Sequence, residues 1–389
     1  MTSQSTKIII VGAGIGGLAL AAALRKVGLR AEVYEQAGEL RAAGSGLGVL
    51  SNGMAALEAL GLDIDLAGRG QTLHSFGVND TAGNHIAWLP VPEVSKDLGL
   101  PATVLISRGG LQQALLDAVG DVPITLGARA VGFETRPHSA VVRFADGTTA
   151  EGDVVVGADG IYSAIRAQIA GPEPILDPGY VCWLAIVPFS HHRLLPGAVS
   201  HYWGLGQRFG LLDIGHGQVY WFGTKNMPVE QAEDWRGTKE DIVRDYQGWA
   251  DEVQEAIRVT PAEDIIAVPA RDRAFLEQWG DGRVTLLGDA AHPMLSSLAQ
   301  GATMAVEDAV VLAGTLARTE DPVAGLRSYE DQRRDRLRAV VIGSRAASEM
   351  EQLDDPEQVR LRNERLRDTP VADLAEQYKA VLTFPGIQP

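Results

Sequence analysis

Three glycines at the spacing Gly12-x-Gly14-x-x-Gly17, directly after the apolar run Ile8-Ile9-Ile10-Val11, offer backbone N–H groups unobstructed by side chains. That is the chemistry of a phosphate cradle. Gly12 permits a tight turn, Gly14 lets backbone approach a pyrophosphate, and Gly17 lets a helix lie close to the strand, with its N-terminal N–H groups and dipole favouring an anion. Glu35 ends the next apolar stretch 23 positions after Gly12, where a carboxylate accepts hydrogen bonds from ribose hydroxyls. Strand, glycines, helix start and terminal acid together predict a dinucleotide site.

Two further acids close apolar runs of their own. Asp159 follows Val154-Val155-Val156-Gly157-Ala158, and Asp289 follows Val284-Thr285-Leu286-Leu287-Gly288. Such runs read as central strands of a parallel sheet, with ligands at their C-terminal ends. Asp159 can equally cap the helix that follows it. Ser107 can cap a helix beginning at Arg108; a cation in that first turn needs a compensating anion or carbonyl, so Arg108 is either a cofactor contact or a solvated arginine. The glycine-dense Gly44-Ser45-Gly46-Leu47-Gly48 suits a flat ligand or a plain sharp turn.

The elements that position these residues are legible from periodicity. A helix is expected over Ile15–Lys26, stopped by Gly28, and another after Asn52 with Met54, Leu57 and Leu60 on one face. Ser139–Phe144, the Asp146-Gly147 turn and Thr148–Ala150 read as a hairpin. Residues 63–101 carry no clear pattern. The stretches Ser200–Gly204, Phe209–Leu212 and Gln218–Gly223 are aromatic-rich strands, either ordinary sheet core or a substrate platform, with Tyr202, Phe209, Leu211, Tyr220 and Phe222 as candidates for contact. His191, His192, His201 and His216 lack metal spacing and read as solvated histidines; no metal is expected. From Asp321 onward the chain is helical and strongly charged, and Arg333, Arg334, Arg336 and Arg338 read as a solvated face.

Composition bounds the partners. The chain has 389 residues, a formal net charge of −16 and one cysteine, Cys182. The charge argues against nucleic acid or an anionic membrane surface as partner, and a lone cysteine suits a reducing, cytoplasmic setting. The first six residues are too few and too polar for a signal peptide, and no stretch approaches the ~20 apolar residues of a membrane span.

The ordered trio Gly12-x-Gly14-x-x-Gly17, Gly157-Ala158-Asp159-Gly160 and Gly288-Asp289-Ala290-Ala291-His292 strongly resembles the single-component FAD-dependent monooxygenases, the aromatic hydroxylase family with tetracycline-modifying and carotenoid-epoxidising members. The resemblance implies an α/β fold: a Rossmann-like FAD-binding domain over 1–70, 100–175 and 270–320, an inserted mixed-sheet substrate domain over 71–99 and 176–269, and C-terminal helices over 321–389. It implies FAD as cofactor, with Glu35 and the glycine turn on the AMP half, Arg108 and Arg41 at its middle, Gly46 beside it, Asp159 serving FAD and nicotinamide, Asp289 on the ribityl or ribose hydroxyls, and Gln300-Gly301-Ala302 bringing a helix N-terminus to the flavin pyrimidine edge. NAD(P)H would be a transient co-substrate and O2 would add to the reduced flavin as a C4a-hydroperoxide, hydroxylating or epoxidising a small aromatic or alkene substrate. The implied assembly is a monomer or homodimer. Many relatives read Pro and Gly where this chain has Ser296 and Ala299, and often Arg where Leu184 stands; Ser296 would lie near the reactive face of the flavin. Competing readings are a flavin-dependent halogenase or desaturase, against which the absence of a W-x-W-x-I-P segment counts, and an FAD-fold binding protein without turnover.

Overall fold

A computed structural model describes residues 6–40 and 44–388. Its first layer is a five-stranded, fully parallel sheet in the order Val284–Leu286, Val154–Gly157, Lys7–Val11, Arg30–Tyr34, Ile124–Thr125. Ile8, Ile9, Ile10, Val154, Val155 and Val156 are fully buried, as continuous apolar strands covered on both faces must be. Because the strands are parallel and in register at Val11, Gly157 and Leu286, the turns that follow them emerge at one edge. The helices Ile15–Lys26 and Gly301–Leu316 pack together beside that edge.

The second layer is a seven-stranded mixed sheet in the order Ile266–Pro269, Tyr180–Pro188, Gln218–Asn226, Gln207–Asp213, Ala198–Trp203, Ser75–Asn79, His85–Trp88. The expected fold class stands. One face of this sheet packs Trp183, Phe209, Leu211 and Trp221 against Tyr246, which follows the helix Lys239–Asp245, and against Val253 and Ile257 of the helix Asp251–Val259. Its other face looks toward the parallel layer. The strands Gln71–Thr72, Ser75–Asn79 and His85–Trp88 and the helix Val91–Asp97 occupy the region where periodicity was silent.

The C-terminal helices Pro322–Glu351, Pro356–Asp368 and Val371–Leu382 run across the junction of the layers. Arg333 and Arg336 correct the expectation of a solvated face. Arg333 is buried, pairing with Glu307 at 2.5 Å and Asp308 at 2.7 Å, and Arg336 pairs with Glu307 at 2.9 Å. Buried charges persist where partners satisfy them, and here both acids come from the helix Gly301–Leu316. Among the described residues, no helix is long and apolar enough to cross a membrane.

Candidate active site

The glycine turn divides its labour. Gly12 has φ +107, and a Cβ there would lie 2.3 Å from the Ala158 carbonyl oxygen; a Cβ on Gly17 would lie 1.9 Å from the Gly12 carbonyl oxygen. Both positions therefore hold backbone against backbone. Gly14 differs, since a Cβ there would meet nothing within 4 Å. Glu35 fastens the end of the second strand to this turn, its two carboxylate oxygens accepting from Ala13 N–H at 2.7 Å and Ala37 N–H at 2.8 Å.

Gly14 opens onto one cavity of about 1500 Å³ between the layers. Two helices, Ile15–Lys26 and Gly301–Leu316, present first turns to it with no side-chain cap, through Gly14, Ile15 and Gly16 on one side and Gly301 and Ala302 on the other. Uncapped N-termini leave donors and a positive dipole for an anionic or electron-rich ligand. Ser45, Gly46 and Arg108 line the same end, and Arg108 makes no side-chain hydrogen bond or ion pair among the described residues. Ser107 caps the Arg108 helix, accepting from Gly110 N–H at 2.9 Å.

Asp289 also lines this end, its side chain exposed to the cavity and without a hydrogen-bond partner among the described residues. Desolvation pushes its pKa up, opposed by the charges of His292 and Arg108. A carboxylate left bare to the cavity is the acceptor that a polyhydroxylated ligand satisfies. Asp308 secures its loop by accepting from Gly288 N–H at 3.1 Å and meeting His292 Nε2 at 2.5 Å. Gln300 is buried beside Asn52, whose Nδ2 donates to it at 3.0 Å and to Glu307 at 2.7 Å, so this network sets the start of the second helix.

Asp159 turns away. Its oxygens accept from Ser163 Oγ at 2.5 Å and Ala164 N–H at 2.8 Å, capping the helix Ala164–Ala170, while neighbouring Ala158 and Gly160 line the cavity. Arg41 lies outside the described residues.

The far end of the cavity is floored by the mixed sheet. Tyr220, Phe222 and Ser296 line it, as does Leu184. Tyr202, Phe209 and Leu211 lie on the opposite face: Tyr202 Oη donates to Glu252 at 2.8 Å, and Phe209 stacks on Trp221 with centroids 5.3 Å apart. Pairing explains the split, because Leu212 lies opposite Tyr220 and Leu211 opposite Trp221. The same alternation brings His201 and Arg208 into the cavity wall; His201, expected to be a solvated histidine, is buried there instead, and Arg208 was not singled out by sequence patterning. Arg208 is a cation directly before the apolar run Phe209–Leu212, which was the available signal. It pairs with Glu351, and its Nη2 lies 3.5 Å from Ser296 Oγ. Arg362, Leu366 and Tyr378 of the C-terminal helices close the chamber.

The parallel sheet, with two uncapped helix ends and a bare acid meeting an elongated cavity, defines a dinucleotide-binding protein with an adjoining apolar chamber. The chain belongs to the FAD binding domain family, which it matches over residues 5–344. It is 38% identical over 337 residues to the aurachin C monooxygenase/isomerase of Stigmatella aurantiaca, spanning 87% of each chain. It is 34% identical over 343 residues to the FAD-dependent urate hydroxylase of Klebsiella pneumoniae, spanning 87% of this chain and 88% of that one. Among solved structures it resembles Klebsiella pneumoniae HpxO complexed with FAD and uric acid, at 29% identity and a TM-score of 0.89 over 97% of this chain and 96% of that one. FAD is thus the cofactor, and FAD-dependent monooxygenase the enzyme class of these relatives.

Proposed function

We propose that the chain uses NAD(P)H and O2 to transfer one oxygen atom to a small electron-rich aromatic or alkene substrate. One observation carries this reading: the cofactor end and the apolar sheet chamber are one continuous cavity, lined by Gly14 and Asp289 at one end and Phe76, Leu184 and Phe222 at the other. FAD supplies the redox chemistry when bound, taking hydride from the nicotinamide and activating O2. The chain's own residues bind, orient and exclude water.

In this reading the N–H groups at Gly14 and Gly16 receive the pyrophosphate, with Gly12 and Gly17 shaping the turn and Glu35 receiving ribose hydroxyls. Arg108, Gly46 and Asp289 flank the middle of the cofactor. Gly301 and Ala302, held in place through Gln300, direct a helix N-terminus at the flavin ring and stabilise negative charge there. Asp159 acts indirectly by fixing Ala158 and Gly160. Tyr220, Phe222 and Ser296 contact substrate, while Tyr202, Phe209 and Leu211 brace the sheet from behind. Residues 1–70, 100–175 and 270–320 serve the cofactor, 71–99 and 176–269 the substrate, and 321–389 cover the chamber. The unpaired Cys182 supports a cytoplasmic setting; the proposed assembly is a monomer or homodimer.

The test is oxygen incorporation. FAD-loaded protein is supplied with NAD(P)H, isotopically labelled O2 and a panel of phenols, polyketides and terpenoids, and products are weighed by mass spectrometry. A product carrying one labelled oxygen supports the reading; NAD(P)H oxidation that yields only peroxide across the panel sinks it.

A further inference from the structure

His201 is 9% exposed, and it lines the sheet end of the cavity. Its imidazole is clamped edge-on between two rings, Phe76 at 4.7 Å and Phe222 at 5.2 Å between centroids. Among the described residues neither ring nitrogen has a hydrogen-bond partner. A polar ring that faces a chamber without a protein partner hydrogen-bonds to what enters it.

We propose that His201 is a specificity-determining residue that accepts a hydrogen bond from an O–H or N–H on the substrate ring, selecting phenol-type or N–H heteroaromatic substrates over their alkylated counterparts. This rests on reading the sheet chamber as the substrate site. Burial, aided by the charge of Arg208, holds the imidazole near a pKa of about 3, so it stays neutral with one acceptor and one donor nitrogen. So weak a base does not take the proton of a phenol, whose pKa is roughly 10, and its role is recognition. The titratable groups around it are paired or uncharged. Glu351 is engaged by Arg208; burial keeps the Cys182 thiol and Tyr220 hydroxyl protonated; Arg362 lies over the Trp203 ring.

The test titrates FAD-loaded protein with 2-naphthol and with 2-methoxynaphthalene, following the visible absorption of the bound flavin. The expected result is a preference for 2-naphthol of roughly three- to tenfold, the worth of one buried hydrogen bond, constant from about pH 8 to about pH 5. His201→Phe brings the two probes to parity, and His201→Gln, whose amide oxygen accepts, keeps part of the preference. Equal affinities in the wild type, binding of neither probe, survival of the preference in His201→Phe, or its decay between about pH 7 and pH 5 would each overturn the assignment. Should His201→Phe fail to hold FAD, the same comparison in His201→Leu decides, parity of the two probes supporting the assignment and survival of the preference overturning it. The titration needs no turnover, so absence of an oxygenated product would remove the reaction proposed above and leave this assignment standing.

Discussion

Arg208 and Glu351 meet in a buried ion pair across 143 positions of sequence, joining the strand Gln207–Asp213 to the last residue of the helix Pro322–Glu351. Their side chains are 3% and 5% exposed, and the Arg208 guanidinium lies 5.2 Å from the Phe222 ring. The pair ties the substrate sheet to the helices that close the chamber.

Removing one partner strands the other charge in apolar surroundings, so Glu351→Ala is expected to cost about 3–5 kcal/mol of stability. Replacing both partners by methionine refills the volume without a charge and restores most of that loss. Urea unfolding of E351A and the R208M/E351M double variant measures the difference. Equal losses in the two proteins would show that the pair is not what holds this junction.

The glycine turn predicts two opposite phenotypes from chemically identical changes. Gly17→Ala drives a methyl group into the Gly12 carbonyl and destabilises the fold by about 1–3 kcal/mol or more. Gly14 has φ −72, a conformation alanine adopts freely, and its Cβ would meet open cavity. Gly14→Ala should therefore fold as well as the wild type, or up to about 1 kcal/mol better, and emerge depleted of FAD. Unfolding curves paired with flavin content per chain separate the two, and a G14A protein that retains stoichiometric FAD would falsify the cradle.

How much of this was readable from the chain depends on how local the cause is. The helix Ile15–Lys26 has its expected bounds, and Asp146-Gly147 turns a hairpin between Ala140–Phe144 and Thr149–Gly152, because glycine placement and periodicity are local signals. Residues 63–101 were opaque: the strand Ser75–Asn79 is specified by pairing with Ala198–Trp203, a long-range partner no window detects. Face parity failed for the same reason. Tyr202, Phe209 and Leu211 look like substrate contacts until strand register puts them behind the sheet and His201 and Arg208 in front. Arg333 reads as solvated in a charged helix, yet its acids, Glu307 and Asp308, sit 26 and 25 positions upstream.

Asp289 should make cofactor affinity depend on pH. Desolvation raises its pKa above the ordinary 3.8, partly offset by His292 and Arg108. Donors on a bound ligand favour the charged carboxylate, so binding FAD releases a proton wherever the free protein still holds one. Affinity therefore rises with pH up through the raised value and is lost as pH falls back through it. Asp289→Asn removes both this slope and a charged hydrogen bond, weakening FAD binding by roughly 10- to 100-fold. Fluorescence titration of apoprotein with FAD across that range tests both; an unchanged slope in D289N would reassign the proton to another group.

His201 should leave a signature in global stability as well as in binding. Its pKa is lowered from 6.5 to about 3, first by burial and then by Arg208. Between those values the unfolded chain carries a proton that the folded chain refuses, so the folded state loses stability as pH falls below 6.5. The slope approaches 1.36 kcal/mol per pH unit, which by pH 5 amounts to about 2 kcal/mol. His201→Gln has no such proton and escapes this loss. The difference in unfolding free energy between wild type and H201Q is thus expected to shift by about 2 kcal/mol in favour of the variant between pH 7.5 and pH 5. Other titrating groups cancel in the comparison, so chemical denaturation of the two FAD-loaded proteins at both pH values isolates the imidazole, and a constant difference would mean that the ring titrates normally and is open to water.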